Sequence, residues 1–175
     1  MHPRVQQQTL MHILVMVPLL AASLQPLSTG ACAVLLANAR VLEGSGDTHS
    51  LLRGKQLALL SESENEEDGG LFCSAAADLG AHVSHIRPGI SALSQPDVLQ
   101  RTGRMLGRLY DAIECQGLTH ELVENLALEA GVPVYEGLAT AHHPTARLTD
   151  LMGGEHPAAK RREIVLKSAL LSTLM

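Results

Sequence analysis

Between Gly103 and Met152 the chain changes hydrophobic rhythm several times. Residues 110–115 (YDAIEC) form a short, largely apolar run closed by Gly117, which predicts a strand. Thr119 then caps a predicted helix with Leu122, Val123, Leu126 and Ala127 on one face, and Gly131 stops it. Residues 132–135 (VPVY) read as the next strand, and His142-His143-Pro144-Thr145 leads into a further helix. Upstream, 55–60 (KQLALL) and 81–86 (AHVSHI) have strand character, and the helix between them ends at Asp78–Leu79 and is capped by Gly80. A surface connection, 87–96, precedes an amphipathic helix over 98–109, with Val98, Met105, Leu106 and Leu109 placed to face the sheet. Short strands alternating with helices predict an α/β fold: a three-layer domain with a four-stranded parallel sheet, whose ligands sit beyond the carboxyl ends of the strands.

The ends are patterned differently. Residues 1–30 hold an apolar stretch, 11–24, interrupted by Pro18 and too short to span a bilayer. Three readings stand for it: a cytoplasmic N-terminal helix, a secretory signal with a small-x-small site at Ala31-Cys32-Ala33, or a misplaced start codon. Residues 31–43 predict a helix and 44–50 a loop. The main domain is expected over 31–152, followed by a linker, 153–160, and an amphipathic helix, 161–175, that docks back on it.

Composition narrows the function classes. At 175 residues the chain suits one domain, and with two Tyr, one Phe and no Trp its core must be aliphatic. A net charge of −5 with scattered Lys and Arg argues against a nucleic-acid surface. Cys32, Cys73 and Cys115 are odd in number and widely spaced, as expected of buried free thiols in a reducing compartment.

The segments 104–117 (RMLGRLYDAIECQG) and 130–152 (AGVPVYEGLATAHHPTARLTDLM) resemble the carbamoyl-phosphate domain of ornithine carbamoyltransferases. In that family a strand ending in Tyr-Arg-Gly is followed by His-Pro-Thr-Gln and Leu-Ala-Asp. Residues 51–62 and 75–86 extend the resemblance collinearly to about Leu51. It implies the α/β fold, no cofactor, trimer-type contacts between copies or with a full-length transcarbamylase, and a cytoplasmic place. It also implies a second, amino-acid-binding domain after Met152; the sequence there passes instead to the linker and final helix, as an internal deletion would leave it.

The resemblance fails where the family binds phosphate. Its Ser-Thr-Arg-Thr-Arg motif falls, without gaps, on Asn65-Glu66-Glu67-Asp68-Gly69 within the acidic run 61–70 (SESENEEDGG). A carboxylate about 4 Å from a phosphate charge repels it by on the order of 4 kcal/mol at an effective dielectric near 20. Gln116 occupies the arginine position of Tyr-Arg-Gly, and Ala146 the glutamine position of His-Pro-Thr-Gln. His143, Pro144 and Thr145 are kept as a remnant of the carbamoyl-phosphate site. An inactive relative is therefore expected, serving as an interaction or assembly module. The alternative is a carbamoyltransferase with residual or altered anion or amino-acid binding. The acidic run has two main readings: carboxylates occupying a helix N-terminus once used by phosphate, or a solvated charge run; a cation site is disfavoured, since the run lacks the alternating oxygen ligands and central glycine of an EF-hand. No metal site is expected at His142-His143, since adjacent side chains diverge. Cys115 reads as a buried strand thiol rather than a nucleophile.

Overall fold

The computed structural model describes residues 27–62 and 66–175. The apolar stretch 11–24, with its signal-like reading, lies outside them. Helix α1 spans Thr29–Glu43 and starts where Ser28 Oγ accepts the Ala31 N–H at 3.1 Å. Strand β1 is Gln56–Ser61, helix α2 Glu66–Asp78 and strand β2 His82–Ile86. Then come a short helix α3, Ile90–Leu93, helix α4, Pro96–Leu109, and strand β3, Ala112–Gln116. Helix α5 is His120–Ala130 and strand β4 Val134–Glu136. A 3-10 turn, Pro144–Arg147, runs into helix α6, Leu148–Met152, and the last helix, α7, spans Ala158–Leu174.

The sheet is four-stranded and all parallel, in the order β2-β1-β3-β4. Parallel strands covered on both faces need apolar side chains on both. Accordingly Leu57 to Leu60 and all five residues of β3 are buried. The register sets Leu59 beside Glu114, and Glu114 beside Tyr135, so these three share a face. That face is covered by α1, α2 and α7, whose Leu35, Phe72, Ala76, Val165 and Leu170 pack into one core with Leu57 and Leu59. The opposite face carries Ala58, Leu60, Ile113, Cys115 and Val134, packed against Leu106 of α4 and Val123 and Leu126 of α5. The result is the three-layer α/β domain that the alternation predicts.

Element boundaries moved by one to three residues. Tyr110 and Asp111 precede β3 because the Asp111 carboxylate is spent as an anchor, accepting from the Gln56 N–H (2.8 Å) and Lys55 Nζ (3.0 Å). The connection 87–96 contains α3, and α7 starts three residues before Arg161. Thr119 caps α5, accepting from Leu122 N at 3.4 Å, and Gly131 ends it in the left-handed region at φ +68°.

Two expectations for α4 were wrong. Met105 and Leu109 are 52% and 59% exposed, and the buried residues are Leu99, Gly103 and Leu106. The cause is close approach: a Cβ on Gly107 would lie 1.9 Å from the Ala130 carbonyl oxygen, and one on Gly103 2.7 Å from Glu129 Cβ. Glycines, not large apolar groups, face α5, which turns Met105 and Leu109 outward.

Helix α7 docks on α1, α2 and α6. Ser168 Oγ donates to the Leu35 carbonyl (2.8 Å), Asn38 Nδ2 to Ser172 Oγ (3.2 Å), and Tyr135 OH pairs with Thr173 Oγ1. Lys167, although buried, bridges Asp78 (2.7 Å) and Glu163 (2.6 Å). Among the described residues no helix is long and apolar enough to cross a membrane.

Candidate functional site

At the carboxyl end of the parallel sheet, α7 packs on α2 and on the 3-10 turn, and Asp68 in the first turn of α2 is close enough for its charge to act on Arg162. Gln116 closes β3 there and is buried. A Cβ on Gly69, in the first turns of α2, would sit 3.4 Å from Leu59 Cδ2 and 3.6 Å from Gln116 Oε1. Gln116 thus packs against the segment that aligns with the family's phosphate motif. Its amide points inward, Nε2 donating to Glu114 Oε1 at 3.2 Å.

Glu114 is fully buried and also accepts from the backbone N–H groups of Leu138 (3.1 Å) and Ala139 (3.5 Å). Burial pushes its pKa up to about 8, against the pull of these donors and of the Arg162 charge. Arg162, from α7, is nearly as deep. Its Nη2 donates to the carbonyls of Leu138 (2.6 Å) and Thr140 (3.1 Å), and its Nη1 to Thr145 Oγ1 (3.0 Å). Burial draws its pKa down to about 10, with Glu114 and Asp68 acting the other way.

His143 caps the 3-10 turn, its Nδ1 accepting the Thr145 N–H at 3.2 Å. A nitrogen that accepts a backbone N–H carries no proton, so the ring is the Nε2–H tautomer. Thr145 Oγ1 lies 2.9 Å from the same Nδ1 and receives Arg162, so its own proton goes to His143. Burial, with the nearby Arg162 charge, lowers the His143 pKa to about 4 and keeps the ring neutral near pH 7. Arg162, Thr145 and His143 thus form a fixed polar line with one imidazole N–H to offer.

Of the residues singled out in the sequence, Asn65 lies outside the described residues. Glu66 opens α2, Glu67 is exposed, Asp68 is half-buried with its charge felt by Arg162, and Gly69 and Gln116 touch. His143 and Thr145 are buried and bonded to each other, Pro144 starts the 3-10 turn, and Ala146 lies within it, half-buried. The pattern reading missed Glu114 and Arg162. A charge inside a doubly covered strand was the signal for the first; Arg162 sits in a KRRE run that hides which guanidinium turns inward.

Cys115 points to the α4–α5 face, away from Glu114, and burial holds its thiol far above the usual range. At the end of β4, Glu136 pairs with His120 Nδ1 at 2.6 Å, and Glu124 with His120 Nε2 at 3.2 Å, which raises the His120 pKa. Among the described residues no three His, Cys, Asp or Glu side chains gather as a metal site would require.

Residues 21–155 match the model of the aspartate/ornithine carbamoyltransferase, carbamoyl-P binding domain. A catabolic ornithine carbamoyltransferase of Burkholderia mallei is 43% identical over 108 residues, covering 62% of this chain and 32% of the relative. One from Bacillus thuringiensis is 36% identical over 132 residues, covering 75% and 40%. Among solved structures, ornithine carbamoyltransferase from Pyrococcus furiosus superposes with a TM-score of 0.60 at 27% identity, covering 75% of this chain and 45% of that one. That of Gloeobacter violaceus gives 0.60 at 25% identity, covering 79% and 44%. The chain spans about a third to two-fifths of the length of the curated relatives it matches.

Proposed function

The chain belongs to the aspartate/ornithine carbamoyltransferase carbamoyl-phosphate-binding family, and on that premise we propose that it is a carbamoyltransferase-like protein without turnover, acting as an interaction or assembly module. One observation carries this reading: the donors at the carboxyl end of the sheet are committed to the protein itself. Arg162 serves two carbonyls and Thr145, and Gln116 serves Glu114. The first turn of α2, where a phosphate would seek cationic forks and free N–H groups, has the sequence Glu66-Glu67-Asp68, with Glu67 exposed and Asp68 half-buried. Asp68 lies close enough to act on Arg162, so a carboxylate of the chain takes the electrostatic part of a bound anion. The domain plan that goes with this reading is 31–152 as the α/β body, a linker, and the returning helix.

His143 favours the second reading, residual ligand binding, because its neutral ring still has an Nε2–H to donate. Calorimetry with carbamoyl phosphate and inorganic phosphate, alongside a turnover assay with ornithine, decides between them. The first reading expects no heat and no product; citrulline formation would sink it, and heat without product would establish the second. Light scattering, alone and mixed with a full-length transcarbamylase, tests the assembly role.

A further inference from the structure

Every contact of the buried Glu114 carboxyl group is with a donor. Its Oε1 receives Gln116 Nε2 (3.2 Å) and the Ala139 N–H (3.5 Å), and its Oε2 receives the Leu138 N–H (3.1 Å). This arrangement suits a carboxylate, which only accepts; a protonated carboxyl must also donate. A buried O–H aimed at another donor makes no hydrogen bond, and that omission is costly away from water. The two backbone N–H groups belong to the chain leaving β4 and cannot become acceptors. Gln116 can. Half a rotation of its amide exchanges Oε1 for Nε2, two atoms of nearly equal size.

The other end of that amide faces the first turns of α2. Gln116 Oε1 lies 3.6 Å from the would-be Cβ of Gly69, the residue directly after Glu66-Glu67-Asp68. Gln116 is itself buried, so its amide is held between Glu114 and α2. A turn that satisfies a protonated Glu114 therefore puts an N–H2 where the carbonyl now faces α2. Around Glu114 and its guanidinium neighbour, α7 brings Arg162, α2 Asp68, β4 Tyr135 and the 3-10 turn His143. Cys115, next in β3, points to the opposite face. Burial pushes the Glu114 pKa up to about 8, whereas Arg162 stands at about 10 and His143 at about 4, and Tyr135 is raised by burial. Near neutral pH the proton on Glu114 is thus gained or lost while Arg162 stays largely charged and Tyr135 and His143 stay neutral.

We propose that Glu114 and Gln116 form a proton-operated switch in the wall of this site. A proton on the carboxyl turns the amide, and the site then presents an N–H2 to the first turns of α2. Loss of the proton returns the orientation described above, with the carbonyl outward. The inference rests on the reading of this end of the sheet as a site closed by the chain's own groups, and it names what regulates the closure. Below the midpoint the acidic turn of α2 is faced by a donor, and above it by an acceptor. Turnover and calorimetry test the closed-site reading; the switch is tested by neither, so each can fail alone.

Neutron diffraction from crystals of the whole chain, at about pH 6 and about pH 9, locates the proton and tells amide nitrogen from oxygen. At the lower pH Glu114 should carry a deuteron aimed at Gln116 Oε1, with Gln116 Nε2 toward Gly69. At the higher pH the carboxyl should be bare and Nε2 should face it again. In solution, carbon NMR should show the Cδ signals of Glu114 and Gln116 shifting with one shared midpoint. Glu114→Gln, neutral at every pH, should hold Gln116 in the acid orientation throughout. The switch is overturned if Gln116 keeps one orientation in both wild-type crystals, or if its Cδ moves with a midpoint other than that of Glu114. It is equally overturned if Gln116 still turns with pH in Glu114→Gln, or stays there with its carbonyl toward α2. The wild-type measurements decide the matter even where the variant does not fold.

Discussion

Arg162 and Glu114 hold the same residue from opposite sides: the guanidinium donates to the Leu138 carbonyl at 2.6 Å, and the carboxylate accepts the Leu138 N–H at 3.1 Å. The segment leaving β4 is thereby fastened both to the last helix and to β3. The nearby guanidinium limits how far burial raises the Glu114 pKa, which still stands at about 8. Removing the guanidinium strips the donor from the Leu138 and Thr140 carbonyls and from Thr145 Oγ1. Arg162→Leu should therefore lose about 3–5 kcal/mol of unfolding free energy, at about 1–3 kcal/mol for each buried acceptor left without its donor, read from urea midpoints. Arg162→Lys keeps the charge but cannot reach three acceptors at once, and should fall between.

The pH dependence of stability follows from two buried groups. Glu114 binds its proton more tightly folded (about 8) than unfolded (4.5). Its contribution is thus full below pH 4.5 and declines as pH rises to about 8. His143 behaves oppositely: its pKa falls from 6.5 to about 4, so its contribution is lost as pH drops through that interval and complete above 6.5. The two nearly cancel between about pH 4.5 and 6.5, leaving Glu114 to act alone above it. Stability should drop by about 2 kcal/mol from pH 6.5 to 8, at about 1.4 kcal/mol per pH unit. The exposed His120, whose pKa is raised by Glu136, adds to the decline. Thermal melts across this range should show the fall in the wild type and a much shallower one in Glu114→Gln.

Two glycines separate packing from propensity. At Gly107 an added methyl meets the Ala130 backbone at 1.9 Å. Gly107→Ala should push α4 from α5 and cost about 3 kcal/mol, at the upper end of overpacking. Gly70 lies in α2 with nothing within 4 Å of its would-be Cβ. Gly70→Ala should stabilise the chain by about 0.5–1 kcal/mol through helix propensity alone. Equal effects from the two changes would show that the α4–α5 approach is looser than drawn.

Much of this architecture was legible in the residues themselves. Thr119 and Gly131 bracketed α5 because a cap hydroxyl and a left-handed glycine are local requirements. The four strands stood out as apolar runs between turn residues, to within two residues of the observed ends. The buried face of α4 was not legible: where glycines make the contact, large apolar side chains point outward and mislead a pattern reading. Nor was Arg162, since α7 buries polar and apolar residues alike, including Lys167 and Ser168. Its inward turn depends on carbonyls at 138 and 140, more than 20 positions earlier.

Reversing the charge of the α2 entrance tests the anion reading directly. In Glu67→Arg/Gln116→Arg, two guanidiniums replace an exposed carboxylate in the first turn of α2 and the amide beside Gly69. Calorimetry with inorganic phosphate should detect millimolar binding, about −4 kcal/mol, where the wild type gives none. Equal heats from both proteins would mean that charge at these positions is not what excludes the anion.

The two sides of the sheet differ in how far along the chain their parts must be gathered. Apart from Ala58 and Leu60, the α4–α5 core draws on residues 106 to 134, whereas the other joins Leu35 to Leu171. Closing the longer loop carries the larger entropy cost and comes later. Pulse-labelled amide exchange during refolding should find protection at Val123 and Leu126 before it appears at Leu35 and Ala39, so the molecule assembles one layer at a time.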